Sequence, residues 1–419
     1  MIRVVIWATH LQTDILALAA HLDGCADVAL LIVAGDAAVY RAEPVASALG
    51  LAAPVLDRDD QATMARVRGF AADVVVADNH VPPKGVAPRL FYMWHGLGWK
   101  ARSRLDLAIF YRQVARLTGF DPRRPNPNFL AQCYGPTDRA WRVREWKLPA
   151  EACPEVGMAF ASLLHAPPYD KRAVAGRYAI DVLRRKTVLL SITWHSGGVF
   201  DAGTADVELV RRLVAATAVR DANLLLCLHD RHRYSATLLA GLEAAVAEAS
   251  HAELRFKSDH PDNLSDLMVA DVMISNLSSF LAYHYVSGRP AIHLVPRRDG
   301  PVERVAMVLS RFRVRRKIAA DAAWMIDPED TGGPRVSDVE GALAAVEAAL
   351  DDPRPGALAA ADWLARHIPQ FDGDAAERIK QRLVEMCGAP IALPRGVAKR
   401  LGSARVELSD CGPVQAAAS

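Results

Sequence analysis

The sequence predicts an α/β protein made of two Rossmann-like domains whose parallel sheets face an interdomain cleft. Three observations predict it. Short apolar runs that read as buried strands alternate with longer helical runs, the order that yields a parallel sheet covered on both faces. This series passes through once, breaks near Pro167 and begins again. A length of 419 residues has room for two ordinary domains. The expected division is 1–165, 166–388 and a loosely ordered tail over 389–419, where small residues are scattered without pattern.

In the first half, Arg3 to Ala8 is a short apolar strand and Thr13 to His21 a helix. Val28 to Val33 reads as strand, then Glu43 to Leu49 as helix. Ala72 to Ala77 and Leu90 to Trp94 are a third and a fourth strand, and Ala101 to Glu145 is irregular and rich in Pro and Arg. The second half opens with strand Thr187 to Thr193, helix Val207 to Val219, strand Asn223 to Leu228 and helix Ser235 to Ala249. Strand Val269 to Ile274 leads through a Ser-rich turn into helix Ser278 to Ser287, which Gly288 and Pro290 stop. Strand Ala291 to Val295, helix Val336 to Leu350 and an amphipathic helix, Asp374 to Met386, complete the series. That last helix is expected to pack back toward the N-terminal half.

Composition narrows the function classes. The apolar share is 51% and the charged share 23%, which suits large cores and excludes wholesale disorder. A net charge of +2 makes no overall electrostatic case for nucleic acid. The six cysteines contain no CxxC pair, so they fit free thiols in a reducing compartment and not a zinc ribbon. The start MIRVVIWATHLQTDIL is too polar for a signal peptide, and no apolar run reaches the roughly 18 residues of a spanning helix. The expectation is a cytoplasmic protein, peripheral to the inner face of the cell membrane if it works there. Arg102, Arg104, Arg112, Arg116, Arg123 and Arg124 bias one segment toward anionic lipid, unless they form a solvated or paired face.

Candidate functional residues gather at strand ends, where open parallel sheets bind ligands. Trp94-His95-Gly96 ends the fourth strand, with Lys100 downstream. A histidine beside a glycine that permits close approach is well placed as a general base, or equally as a packed loop histidine. His229 ends a second-half strand and Asp230, Arg231, His232 and Arg233 follow it, a setting for phosphate. The His229–His232 spacing also suits a metal, but no third ligand can be placed, so none is assigned. Ser191 to Gly198 ends the first strand of that half in a Ser-Gly-Gly turn, either a plain turn or one whose amides cradle anionic oxygens. Ser278 and Ser279 stand at a helix start, where unpaired N–H groups and the dipole favour an anion. Taken alone, that turn is a serine N-cap.

In order, these motifs are WHG with a following Lys, a strand ending in Thr-Trp, a strand ending in His, and D-L-x-x-A-D-V-x-I-S-x-x-S-S before a helix and G-R-P. Together they resemble the CDP-glycerol:poly(glycerophosphate) glycerophosphotransferases, the teichoic-acid and capsule polymerases of GT-B fold. The resemblance runs from about Leu90 to Met386. It implies that His95 deprotonates an acceptor hydroxyl and that His229 stands beside the donor pyrophosphate. Thr193, Ser278 and Ser279 would line the phosphate and nucleotide site with Arg231, and Asp266 would precede the donor-site strand. Gly96 and Lys100 would lie on the acceptor and phosphate side. Two departures stand out: Asn276-Leu277 replaces an Asp-Tyr pair, and Gly157 to Ala161 replaces a Pro-Arg-x-Asp run.

The implied activity is transfer of a phosphoglycerol unit from a CDP-linked donor to a polymer or lipid-linked acceptor, with CMP released. No cofactor is expected to be held permanently, although a donor diphosphate can carry Mg2+ with it. One alternative on the same fold is a nucleotide-sugar glycosyltransferase or epimerase. Another is a catalytically silent binding subunit of a polymer-assembly complex.

Overall fold

The computed structural model describes residues 1–94, 96–99, 104–192, 204–229, 234–276, 278–295 and 324–388. His95, Lys100, Thr193 and Arg231 lie outside the described residues, as does the expected tail over 389–419. Two separate six-stranded sheets organise the rest. The first holds β1 (Ile2–Ala8), β2 (Val28–Ala34), β3 (Val55–Asp57), β4 (Val74–Asp78), β5 (Leu90–Met93) and β6 (Phe129–Ala131). The second holds β7 (Thr187–Ser191), β8 (Asn223–Leu228), β9 (Ala252–Phe256), β10 (Val272–Ser275), β11 (Ala291–Leu294) and β12 (Arg335–Val336).

The strand orders are β3-β2-β1-β4-β5-β6 and β12-β11-β10-β7-β8-β9, with every paired neighbour parallel. Each is the doubly wound order, which reverses direction between β1 and β4 and again between β7 and β10. Chain leaving the strands there diverges to opposite faces and opens a crevice. The expected α/β architecture of two Rossmann-like sheets is therefore present.

The strands are apolar because both faces are covered. In the second sheet Val188, Leu190, Leu224, Leu226 and Ile274 belong to an outer core. The alternate residues Leu189, Leu225 and Met273 join the large core shared with the first half. Period-two alternation thus divides β7, β8 and β10 between two hydrophobic layers, leaving those strands no polar face to mark the period.

Several elements correct the sequence reading. The stretch expected to be irregular contains helix Arg104–Thr118, strand β6 and helix Pro136–Glu145. Its prolines are not breakers: Pro136 occupies the first turn of its helix, where a missing N–H costs nothing. Val269 ends helix Asn263–Val269 and the strand starts only at Val272, since the Asp262 carboxylate caps the helix through the Leu264 and Ser265 amides. Helix Arg354–His367 was not anticipated. The last helix, Ala375–Gly388, packs on the first half as expected, through His21–Glu377 at 2.9 Å and Lys380–Asp27 at 3.0 Å.

Between the halves the seam is polar as well as apolar. Arg177 forks onto Glu43 at 2.6 and 2.9 Å, and the Asn263 amide donates to Gln12 Oε1 at 3.0 Å. Beneath the end of β5 lies an aromatic cluster. The Trp94 ring centroid is 4.9 Å from that of Trp146 and 6.3 Å from that of Trp141. The Arg142 guanidinium stacks over Trp94 at 5.3 Å and Trp146 at 4.8 Å, and its Nε donates to Asp138 at 2.8 Å. Both members of that ion pair are wholly buried. Arg142→Ala would strand the Asp138 carboxylate among these rings, and the expected loss is about 3–5 kcal/mol of unfolding free energy in urea titration. A loss below 1 kcal/mol would show that the pair is not load-sharing with the cluster.

Candidate functional site

Parallel register brings the second-half strand ends level. Ser275 pairs with Ser191, and Ser191 with Cys227, so β10, β7 and β8 finish in one row. Neighbouring strands are about 4.8 Å apart, which puts the ends of β10 and β8 roughly 10 Å from each other. His229 lies two residues past Cys227 and the Ser278–Ser279 pair three and four past Ser275. They therefore project from the same carboxyl edge, on the two sides of β7. His229 is half-buried, and its backbone N–H donates to the Tyr234 hydroxyl at 2.9 Å.

The Ser-rich turn does what its sequence suggests. Ser278 is the N-cap of helix Ser279–Val286, its hydroxyl accepting from the Phe280 amide at 3.2 Å. Every residue from Phe280 to Val286 is buried, which explains why this short helix lacks a polar face.

Across the cleft, the chain after β5 comes down on this helix start. Gly96 has φ +103, and a Cβ there would stand 2.6 Å from Ser279 Cβ, 2.8 Å from its hydroxyl and 2.9 Å from the Tyr283 hydroxyl. A Cβ on Gly98 would be 3.1 Å from the Ser279 amide nitrogen. Only glycines allow that approach, and only Gly96 adopts that backbone without strain. The WHG motif and the Ser-Ser motif, about 180 residues apart in sequence, are thus in contact. Position 95 is covalently between Trp94 and Gly96.

Asp266 faces inward. It is 1% exposed, accepts from the Tyr178 hydroxyl at 2.9 Å and the Cys227 thiol at 3.3 Å, and lies 3.6 Å from Arg255. Its contacts hold the end of β8 from behind. Among the described residues, no group of three or more His, Cys, Asp or Glu side chains gathers in metal-binding geometry.

The sequence reading passed over Asp78, which ends β4 beside β5, paired in register with Met93. Its carboxylate accepts from the Thr9 amide at 2.6 Å, and the Thr9 hydroxyl lies 2.9 Å from His80 Nδ1. His10 and Asp36 meet at 3.3 Å alongside. A polar residue closing the apolar run VVVAD was the available signal, the same one that marked His95 and His229. This edge is the first sheet's reversal point.

No family model matches the chain, and no curated protein matches it by sequence. Solved structures do match by shape. A histidine variant of the wall teichoic acid polymerase TagF soaked with CDPG superposes with a TM-score of 0.64 at 12% identity, over 92% of this chain and 89% of that one. The UDP-GlcNAc 2-epimerase of Neisseria meningitidis bound to UDP-GlcNAc gives 0.55 at 11% identity, over 92% and 100%. The S. aureus MnaA–UDP structure gives 0.56 at 13%, over 94% and 99%. The fold is GT-B-like. At these identities the likeness is one of architecture.

Burial pushes the Asp78 carboxyl up to about 6, with the Thr9 hydrogen bonds pulling the other way. A raised carboxyl pKa means the folded state holds the proton more tightly than the unfolded chain does. The stabilisation is complete below the ordinary value of 3.8 and is lost as pH rises to about 6. Roughly two pKa units correspond to about 3 kcal/mol. Asp78→Asn keeps an acceptor for the Thr9 amide, so it should match the parent near pH 4 and exceed it in stability at pH 7–8. Denaturant titrations at both pH values check this, and parallel pH slopes would refute it.

Proposed function

We propose that the protein is a glycerophosphotransferase, or a related polyol-phosphate transferase, acting between a CDP-linked donor and a hydroxyl of a cell-surface polymer or its lipid-linked precursor. What carries this reading is the contact of Gly96 and Gly98 with Ser279. It puts the backbone next to His95 against a helix start, which supports a reading in which base and donor diphosphate share one cleft. The likeness to TagF, including its CDPG-soaked variant, supports the same reading.

In this reading His95 takes the proton of the acceptor hydroxyl while its oxygen bonds to the donor phosphorus that bears the polyol. The bond from that phosphorus to the bridging oxygen breaks, and CMP leaves with the electron pair. Charge builds on the phosphoryl and departing oxygens, and His229, the Ser278–Ser279 helix start, Thr193, Arg231 and Lys100 stabilise it. Asp266 acts indirectly, holding β8, the strand that leads into His229, through Cys227. The donor diphosphate can bring Mg2+ with it, and no step above depends on the ion.

A nucleotide-sugar glycosyltransferase or epimerase is the second reading, favoured by the near-complete coverage of the N. meningitidis epimerase and MnaA chains. Incubation with a panel of CDP-alcohols and nucleotide sugars separates the two. CMP release is the expected result. Release of a nucleoside diphosphate, or sugar interconversion, would replace the first reading with the second.

With the active donor known, His95→Ala should lower turnover by about 10²–10⁴-fold with donor binding nearly intact. His229→Ala should harm both binding and turnover, because its ring would touch the diphosphate in ground and transition states alike. Ser278→Ala with Ser279→Ala should weaken donor binding more than acceptor binding. Full activity in His95→Ala would sink the mechanism.

Membrane contact belongs to the same proposal, since a lipid-linked acceptor sits at a surface. Arg112 and Arg116 are exposed on helix Arg104–Thr118, whereas Arg123 is tied to Asp121 at 2.6 Å and stacks over Tyr111. Among the described residues no helix is long and apolar enough to cross a membrane. At about 1 kcal/mol per basic residue near an anionic surface, the protein should sediment with anionic vesicles at low salt and not with neutral ones. Equal sedimentation with both would end the idea.

A further inference from the structure

The chain on both sides of position 95 is held by side chains that no motif marked. The Gly96 amide donates to the Tyr134 hydroxyl at 2.9 Å. That hydroxyl donates in turn to Asp14 Oδ2 at 2.9 Å, with the Trp94 carbonyl 3.1 Å away as a second acceptor. The same carboxylate oxygen accepts from the Tyr283 hydroxyl at 2.5 Å, and its partner oxygen accepts from the Phe160 amide at 2.9 Å. Asp14, Tyr134 and Tyr283 are all buried. A carboxylate so deep survives only where donors converge on it, and here they come from three separate parts of the chain.

The origin of those donors gives the network its meaning. Asp14 lies in the first turn of helix Thr13–Asp23, and Tyr134 follows β6, both in the first half. Phe160 sits in the Gly157–Ala161 run that departs from the family pattern. Tyr283 belongs to helix Ser279–Val286 of the second half, one turn after Ser279. Separating the domains would remove one donor from a buried carboxylate that also orients Tyr134. The loop at Gly96 is therefore coupled to docking of the donor-side helix through two hydroxyls and one carboxylate.

We infer that Tyr134 is a positioning residue for the loop bearing position 95, oriented by Asp14 and made conditional on domain docking by Tyr283. The inference rests on the reading in which His95 serves as base, but its first test does not. Tyr134→Phe keeps the ring and removes the acceptor of the Gly96 amide. Hydrogen exchange of the peptide covering residues 94–99 should then quicken about tenfold, the effect of losing one buried hydrogen bond. Tyr283→Phe, which leaves Tyr134 in place, should quicken the same peptide by a smaller factor, and stands in if Tyr134→Phe fails to fold. Tyr111→Phe is the control. It loses a hydroxyl that donates to the Trp146 carbonyl at 2.7 Å, without touching the loop.

With the donor identified by the nucleotide panel, Tyr134→Phe should lower kcat about 10–100-fold while donor KM stays within about twofold, as expected when a reacting group is misplaced and ground-state binding is kept. A merely structural role would lower thermal stability and leave the kcat-to-KM split unchanged. Unaltered exchange of 94–99 in both phenylalanine variants overturns the inference, as does an equal fall in kcat for Tyr111→Phe. If no donor in the panel is turned over, the functional reading fails separately and the exchange data alone decide the positioning role.

Discussion

One buried carboxylate, Asp14, ties the two halves together beneath the loop after β5. Desolvation pushes its pKa up, while the Tyr283 hydroxyl, the Phe160 amide and the Tyr134 hydroxyl draw it down, with desolvation the larger influence. Such a group is costly to bury and costlier to leave with a donor missing. The arrangement that satisfies it is the one in which the second-half helix is docked and the Gly157–Ala161 run is folded beneath. The Tyr283 bond thus adds a directional polar tie at this point of the seam, alongside Arg177–Glu43 and Asn263–Gln12.

Around this point the loop after β5 is anchored at both ends by aromatic packing. Trp94 is fixed among Trp141, Trp146 and Arg142 of the first half. Trp99 crosses to the second half, where its ring lies 4.8 Å from His293 and 5.4 Å from Trp363, and its N–H donates to the Asp330 carbonyl at 3.0 Å. Between these anchors the two glycines lie against Ser279. Large rings provide the packing at Trp94 and Trp99, and missing side chains at Gly96 and Gly98 provide the closeness to Ser279.

Legibility followed burial. Strands β1, β2, β7, β8 and β11 could be read because they are apolar on both faces and flanked by polar turns. Helix Arg104–Thr118 was hidden because the Pro- and Arg-rich sequence after it suggested loop throughout, although Leu107, Phe110, Tyr111, Val114 and Leu117 recur at helical spacing. Helix Arg354–His367 is masked by Pro353, Pro355 and Gly356 at its start, although its alanines favour helix and Ala360, Trp363, Leu364 and His367 recur at helical spacing. Among the candidate site residues, His229 and the Ser-Ser pair were visible as polar residues ending apolar runs. Asp78 had the same signature and was missed because no motif accompanied it. Asp14, Tyr134 and Tyr283 carried no local signal, each being a polar residue in an ordinary-looking helix or turn.

By itself, then, the sequence determined the type of the strongly apolar strands and of the capped helices between them, the doubling of the α/β pattern, and the strand ends at which polar residues collect. These are local properties: an apolar run of strand length, a capping serine and a helix-stopping glycine each act within a few residues. Only the tertiary structure decided that Gly96 would lie against Ser279, and that Asp14 would take donors from residues as far along the chain as Tyr283. Hydrogen bonds and close contacts between distant segments depend on which strands neighbour each other and how two sheets dock, and no periodicity along the chain encodes that geometry.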